Sequence, residues 1–137
     1  MTSTTTSFKA PKKCPCGGGL YRKCCGRFHP EFAKDAVKPA PTAELLMRSR
    51  YSAFALELVD YLVATWHPST CPQPLTLEGN PKWLQLDIYG AEQQGDKAQV
   101  HFCAYFQIDG EVGEHEEVSD FVRENGRWYY LSGHTES

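Results

Sequence analysis

The chain has 137 residues and a formal net charge of -3 with histidine neutral, which suits one domain with a short accessory module and leaves no room for two large domains. Hydrophobic residues make up 41%, aromatic residues 12% and charged residues 23%, a balance that excludes a disordered chain. The slight acidity argues against nucleic acid as a partner, and no segment approaches the ~18 consecutive apolar residues of a membrane-spanning helix.

The first residues, MTSTTTSFKAP, carry no periodic apolar pattern and lack the apolar stretch of a secretory signal. Residues 1–11 are therefore expected to be a disordered leader, and the reducing cytoplasm is the expected location. There, closely spaced cysteines are more often metal ligands than disulfides.

CPCGGGLYRKCCG follows, from Cys14 to Gly26. Cys14 and Cys16 can place two sulfurs around one ion, and Cys24 and Cys25 can close the coordination after a turn through Gly17, Gly18 and Gly19. Zn²⁺ accepts four thiolates tetrahedrally, and four protein ligands leave no position for water, which marks a structural site. Iron accepts the same sulfur set, and His29 is an alternative to Cys25 as fourth ligand. Disulfides are the competing use of these cysteines. Lys12, Lys13, Arg22, Lys23 and Arg27 surround the cluster and give a small basic surface.

Pro39 and Pro41 mark the end of a linker, so residues 12–38 are expected to form the metal knuckle with its linker and residues 39–137 the main domain. Thr42 is a reasonable N-cap with Glu44 in the first turn. Met47, Tyr51, Phe54 and Leu58 then share one apolar helical face. A bend or restart is expected near Leu58 to Asp60, and Pro68 closes the second helical piece. Alternation then takes over: WLQLDIYG sets Leu84, Leu86 and Ile88 against Gln85, Asp87 and Tyr89, and AQVHFCAYFQI sets Val100, Phe102, Ala104 and Phe106 against His101, Cys103 and Tyr105. EQQGDK reads as a hairpin connection, Glu114 to Glu124 as a third strand, and GRWYYLSG as a fourth after an Asn125-Gly126 turn. The fold class is α+β, with N-terminal helices on a curved antiparallel sheet.

The cysteine run resembles the SEC-C motif, a small zinc module found at the carboxyl end of the preprotein translocase ATPase and on many other proteins. Position by position, the resemblance implies Cys14, Cys16, Cys24 and Cys25 as zinc ligands, with Gly18 where that motif usually has Ser. Together with LMRSRYSAFALELVDYLVATWHPST and EVSDFVRENGRWYYLSG, the chain from about Lys12 to Gly133 resembles the YchJ-like, or UPF0225, family. That resemblance implies an NTF2-like cone of helices and curved sheet. Val118 stands where the family commonly has Arg.

Such a cone can enclose a pocket. Its candidate residues are Arg48, Arg50, Tyr51, Trp66, His67, Asp87, His101 and Glu117, with Asp87 and His101 inside only if the polar alternates of their strands face inward. Arg48 and Arg50 cannot share a helical face, so one is expected to be buried, paired with Glu117 or Asp60, and the other exposed. The favoured reading is a noncatalytic zinc protein that binds a protein partner through its basic knuckle or a small molecule in the cone. An enzyme acting on a small molecule in that pocket is the alternative, with His101 or His67 beside Asp87 or Asp60 as acid-base pairs. Weak nucleic-acid binding by the knuckle is a third reading, and a homodimer through the outer sheet face is a further expectation.

Overall fold

A computed structural model describes residues 8–135, so most of the expected leader lies outside the described residues. The sheet is a four-stranded antiparallel meander in the order β1 (Lys82–Gln94), β2 (Lys97–Ile108), β3 (Glu111–Glu124) and β4 (Arg127–His134). Its hairpins turn where small residues reach the left-handed region: Gly95, Asp109-Gly110 and Asn125-Gly126 all have positive φ. The Asn125-Gly126 turn thus forms where the sequence places it, whereas of EQQGDK only Gly95 and Asp96 turn and the rest extends β1 and β2.

Two register shifts interrupt β1, between Trp83 and Gln85 and between Ile88 and Gly90. The first is decisive for the side chains. Trp83 pairs with Phe106 and Gln85 with Tyr105, which leaves Leu84 as the extra residue of a bulge. Trp83 consequently turns inward, while Leu84 is exposed, contrary to the simple alternation expected there.

Of the helices, α1 (Pro30–Ala33) packs on the cysteine segment, with Phe32 edge-on to Tyr21, α2 (Ala43–Leu56) covers the inner face of the sheet, and α3 (Val59–Ala64) packs on α2. The Thr42 hydroxyl caps α2 by accepting from the Leu45 amide at 3.1 Å. The restart foreseen near Leu58 is real: Glu57 takes a left-handed conformation, φ 61°, and α3 begins two residues later. Beyond α3 the chain runs beside β4, with the His67 amide donating to the Tyr130 carbonyl and the Tyr130 amide to the Thr65 carbonyl, each at 2.8 Å. This seam closes one side of the cone.

The cysteine segment is packed onto the helices. Cys14, Cys16, Tyr21, Cys24, Cys25 and Phe28 belong to the same buried cluster as Leu46, Met47, Tyr61 and Leu62. Phe8 packs on Tyr21, with ring centroids 6.3 Å apart. α2 therefore buries two faces. One face carries Met47, Arg50, Tyr51 and Phe54 toward the sheet; the other carries Arg48, Ser49 and Ser52 toward the knuckle.

Candidate functional site

The knuckle is built by tight turns around sulfur. A bridge between Lys13 and Leu20 and a 2.7 Å bond from the Cys14 amide to the Gly19 carbonyl close the glycine loop, in which Gly17 and Gly19 adopt positive φ. Short 3-10 turns at Tyr21–Lys23 and Cys25–Arg27 then return Cys24 and Cys25 to the first pair. All four sulfurs lie within 4.8 Å of one another and are buried.

Cys14 Sγ and Cys24 Sγ each lie 3.5 Å from Cys16 Sγ. A tetrahedron with ~2.3 Å metal-sulfur arms has edges of ~3.8 Å, whereas a disulfide needs ~2.05 Å. All six cysteines are free, so the spacing suits an ion and not a staple. The electrostatics agree: the neighbouring sulfurs of Cys16 and Cys25 hold the Cys14 thiol far below its usual range, and those of Cys14 and Cys16, with burial, push Cys25 far above. Burial drives Cys24 up to about 12. Four thiolates cannot ionise together at this separation without a compensating cation.

α2 supplies the surroundings. The Ser52 hydroxyl lies 3.5 Å from Cys14 Sγ. Arg48 donates from Nε to Glu44 at 3.1 Å and also faces Cys16; burial works against its charge, but the two partners outweigh burial and raise its pKa. Arg48 is thus a neighbour of the sulfur cluster, not a pocket residue. His29 is 0% exposed and makes two bonds, at 2.5 Å with the Tyr21 hydroxyl through Nδ1 and at 2.9 Å with the Ser49 carbonyl through Nε2. A carbonyl only accepts, so Nε2 carries the proton, Nδ1 accepts from Tyr21, and the ring is neutral. Burial lowers its pKa in keeping with that state. With both nitrogens committed, His29 is not a substitute for Cys25.

On the other side of α2 lies a cavity of about 270 Å³. The helix contributes Met47, Arg50, Tyr51 and Phe54, the seam Trp66, and the sheet Trp83, Phe102, Ala104, His115, Glu117, Ser119 and Tyr130. Register explains the polar set: Ala104 pairs with His115, Phe102 with Glu117 and Val100 with Ser119, so alternate β3 residues share the inward face with the apolar alternates of β2. His115 Nε2 donates to Glu117 at 2.8 Å, and Ser119 and Tyr130 donate to the other carboxylate oxygen at 2.6 and 3.1 Å. Burial alone would raise the Glu117 pKa, but these three donors outweigh burial and lower it. The Glu117 bond in turn raises the His115 pKa.

Arg50, Tyr51, Trp66 and Glu117 line the cavity. Asp87 and His101 do not. The apolar alternates take the inner face, so Asp87 sits opposite Cys103 and His101 opposite Val118 on the outer face, where His101 meets Glu116 at 2.5 Å. His67 also lies outside the cavity and bonds Glu124 at 3.0 Å. None of the expected His-Asp pairs forms among the described residues. Arg50 is the buried arginine, as one of the two had to be, but its partners are the Leu62 carbonyl and the Thr65 hydroxyl rather than a carboxylate. His115 was missed, although HEEVS places His115, Glu117 and Ser119 at the strand period and so on one face.

Residues 42–133 match the family model described as YchJ, middle NTF2-like domain. The chain belongs to the YchJ family. A UPF0225 protein from Chromobacterium violaceum is 48% identical over 131 residues, covering 91% of this chain and 94% of the relative. One from Cupriavidus metallidurans is 43% identical over 140 aligned residues, covering 97% and 96%. Among solved structures, a SEC-C motif containing protein from Rhodopseudomonas palustris superposes with TM-score 0.77 at 34% identity, over 91% of this chain and 99% of that one. Another from Psychrobacter arcticus gives 0.74 at 29%, over 93% and 85%. The YchJ-family fold, the NTF2-like α+β domain and the SEC-C resemblance thus hold. Val118, at the family's customary Arg, faces outward between Glu117 and Ser119, so its guanidinium would not have entered the cavity. No helix among the described residues is long and apolar enough to cross a membrane.

Proposed function

We propose that this YchJ-family protein is a noncatalytic binder of a small molecule, with its knuckle folded by one structural zinc ion on Cys14, Cys16, Cys24 and Cys25. The observation that carries the binding reading is the cavity between α2 and the sheet, apolar over most of its wall with a few converging polar groups, the usual composition of ligand sites. Support for zinc comes from four buried sulfurs at tetrahedral spacing, a closed set without room for a reacting water. The ion folds the amino-terminal segment, which packs on the back of α2, whose front forms the cavity wall.

Native mass spectrometry of the full chain tests both parts. One zinc per chain, lost together with the compact charge-state distribution on acidification or chelation, is the expected result. A compact chain carrying iron or no metal overturns the zinc assignment. A fragment screen read on the cavity residues by NMR, with no fragment bound, overturns the binding reading.

Two specific observations favour other readings. The half-buried His115 with its Glu117 partner at 2.8 Å is an oriented acid-base pair, which an enzyme would use on a molecule in the same cavity. Exposed Lys12, Lys13, Arg22, Lys23 and Arg27 offer an acidic protein segment a contact surface, tested by comparing pull-downs with wild type and a charge-reversed knuckle.

A further inference from the structure

Arg50 is only 3% exposed, yet the protein satisfies just one of its three nitrogens. Nη1 donates to the Leu62 carbonyl at 2.9 Å and to the Thr65 hydroxyl at 2.7 Å. Trp66 and Tyr130 both lie against it, with ring centroids 5.0 and 4.7 Å from the guanidinium carbon and 5.1 Å from each other, so the two rings flank it from neighbouring sides. The edge formed by Nε and Nη2 has no acceptor among the described residues. Trp66, another wall residue, also has a buried indole N–H without an acceptor.

A carboxylate is close by but committed elsewhere. Among the described residues Glu117 is the one acidic group lining the cavity, and its oxygens accept from His115, Ser119 and Tyr130. It rests on Gly133, where even a Cβ would stand 1.8 Å from Oε2, and it forms no ion pair with Arg50. Burial lowers the Arg50 pKa to about 10, so the group is still a cation at neutral pH. Unlike the Trp66 indole, Nε and Nη2 are not sealed among the protein atoms; on a residue that lines the cavity they form the side-on fork that accepts a carboxylate through two parallel bonds.

We propose that Arg50 is the anchor of the cavity's ligand, and that this ligand is a small, mainly apolar or aromatic monocarboxylate whose carboxylate meets Nε and Nη2 while its body lies against Phe54, Trp83 and Phe102. The proposal rests on the small-molecule reading above and names its ligand class. A single negative charge is favoured over a phosphate dianion because one guanidinium faces the space and Glu117 repels additional negative charge. The cavity of about 270 Å³ also limits the ligand to roughly the size of a two-ring acid.

The test uses the full wild-type chain and three probes of one shape: 2-naphthoate, 2-naphthamide and 2-naphthylmethylammonium. Calorimetry gives affinities, and the Trp66 and Trp83 indole resonances report whether the cavity is the place of binding. The expected order is carboxylate over amide by about tenfold or more, from two charge-assisted bonds, with the ammonium weakest. Arg50→Met should remove the preference for carboxylate over amide. If the amide binds in the cavity as tightly as the carboxylate, or the preference survives in Arg50→Met, the ligand class is wrong while the small-molecule reading stands. If none of the probes moves a cavity resonance, both fall. The wild-type comparison decides the matter even where the variant does not fold.

Discussion

The buried chain from Tyr21 through His29 to Ser49 should hold the knuckle on α2 independently of the ion, and a double-mutant cycle measures it. Tyr21→Phe removes the donor at 2.5 Å and orphans His29 Nδ1, which costs about 1–3 kcal/mol for a buried unsatisfied group. His29→Leu orphans the Tyr21 hydroxyl at a similar cost, loses the 2.9 Å bond to the Ser49 carbonyl for about 1 kcal/mol, and loses the edge contact with Tyr61 at 4.7 Å between centroids for about 1 kcal/mol more. Its total is about 3–5 kcal/mol. In the double variant neither partner is left orphaned, so its cost should fall short of the sum of the singles by about 2 kcal/mol. Urea unfolding followed by circular dichroism and tryptophan fluorescence, at pH 7 and one fixed zinc concentration, gives the four stabilities. Additivity within about 0.5 kcal/mol, or single costs below about 1 kcal/mol, would refute the reasoning and leave the knuckle attached to α2 by apolar packing and the Ser52 contact.

Other perturbations have equally definite outcomes. Gly26→Ala would place a Cβ 2.7 Å from the Tyr21 carbonyl oxygen, backbone that cannot swing aside; the variant should lose roughly 1–3 kcal/mol of stability and surrender its metal faster to a chelating dye, and an unchanged release rate counts against the turn geometry. Gly133→Ala should expel the Glu117 carboxylate from its network, because the new Cβ would meet Oε2 at 1.8 Å; the His115 pKa, followed by NMR, should drop toward its ordinary value of 6.5. The stability difference between wild type and Glu117→Gln should be largest between pH 4.5 and 6.5. Below that window the depressed Glu117 carboxylate gains its proton, and above it the raised His115 loses its charge, so the contribution fades on both sides; a difference constant from pH 3 to 9 would exclude the pair as an ionic contact. Val118→Arg, on the outer face, should leave naphthoate affinity unchanged, and a marked gain or loss would place that position in the cavity after all.

Local chemistry made part of this legible in advance. The four cysteines with their glycines, the Thr42 cap, the helix restart near Leu58 and the Asn125-Gly126 hairpin each depend on residues a few positions apart, so spacing and conformational preference were enough. The NTF2-like cone followed from the resemblance over nearly the whole chain. The cavity was less legible because strand faces are relative. His101 and His115 both sit on alternating strands, and pairing of Ala104 with His115 and of His101 with Val118 puts the first outside and the second inside. The β1 bulge similarly reverses Leu84 and Trp83, and no periodic rule anticipates an inserted residue.

By itself, then, the sequence determined the cysteine cluster, the order of helices and strands, and the α+β class, because these are set by short-range spacing, capping and period. Only the tertiary structure decided that α2 is a wall between two sites. Arg48 and Ser52 turn to the sulfurs while Arg50 turns to the cavity, since residues two apart on a helix point to different sides and what waits on each side depends on elements distant in the chain. The same dependence left Arg50 with two donors unpaired: Glu117 lines the same cavity, but hydrogen bonds from His115, Ser119 and Tyr130 hold its carboxylate.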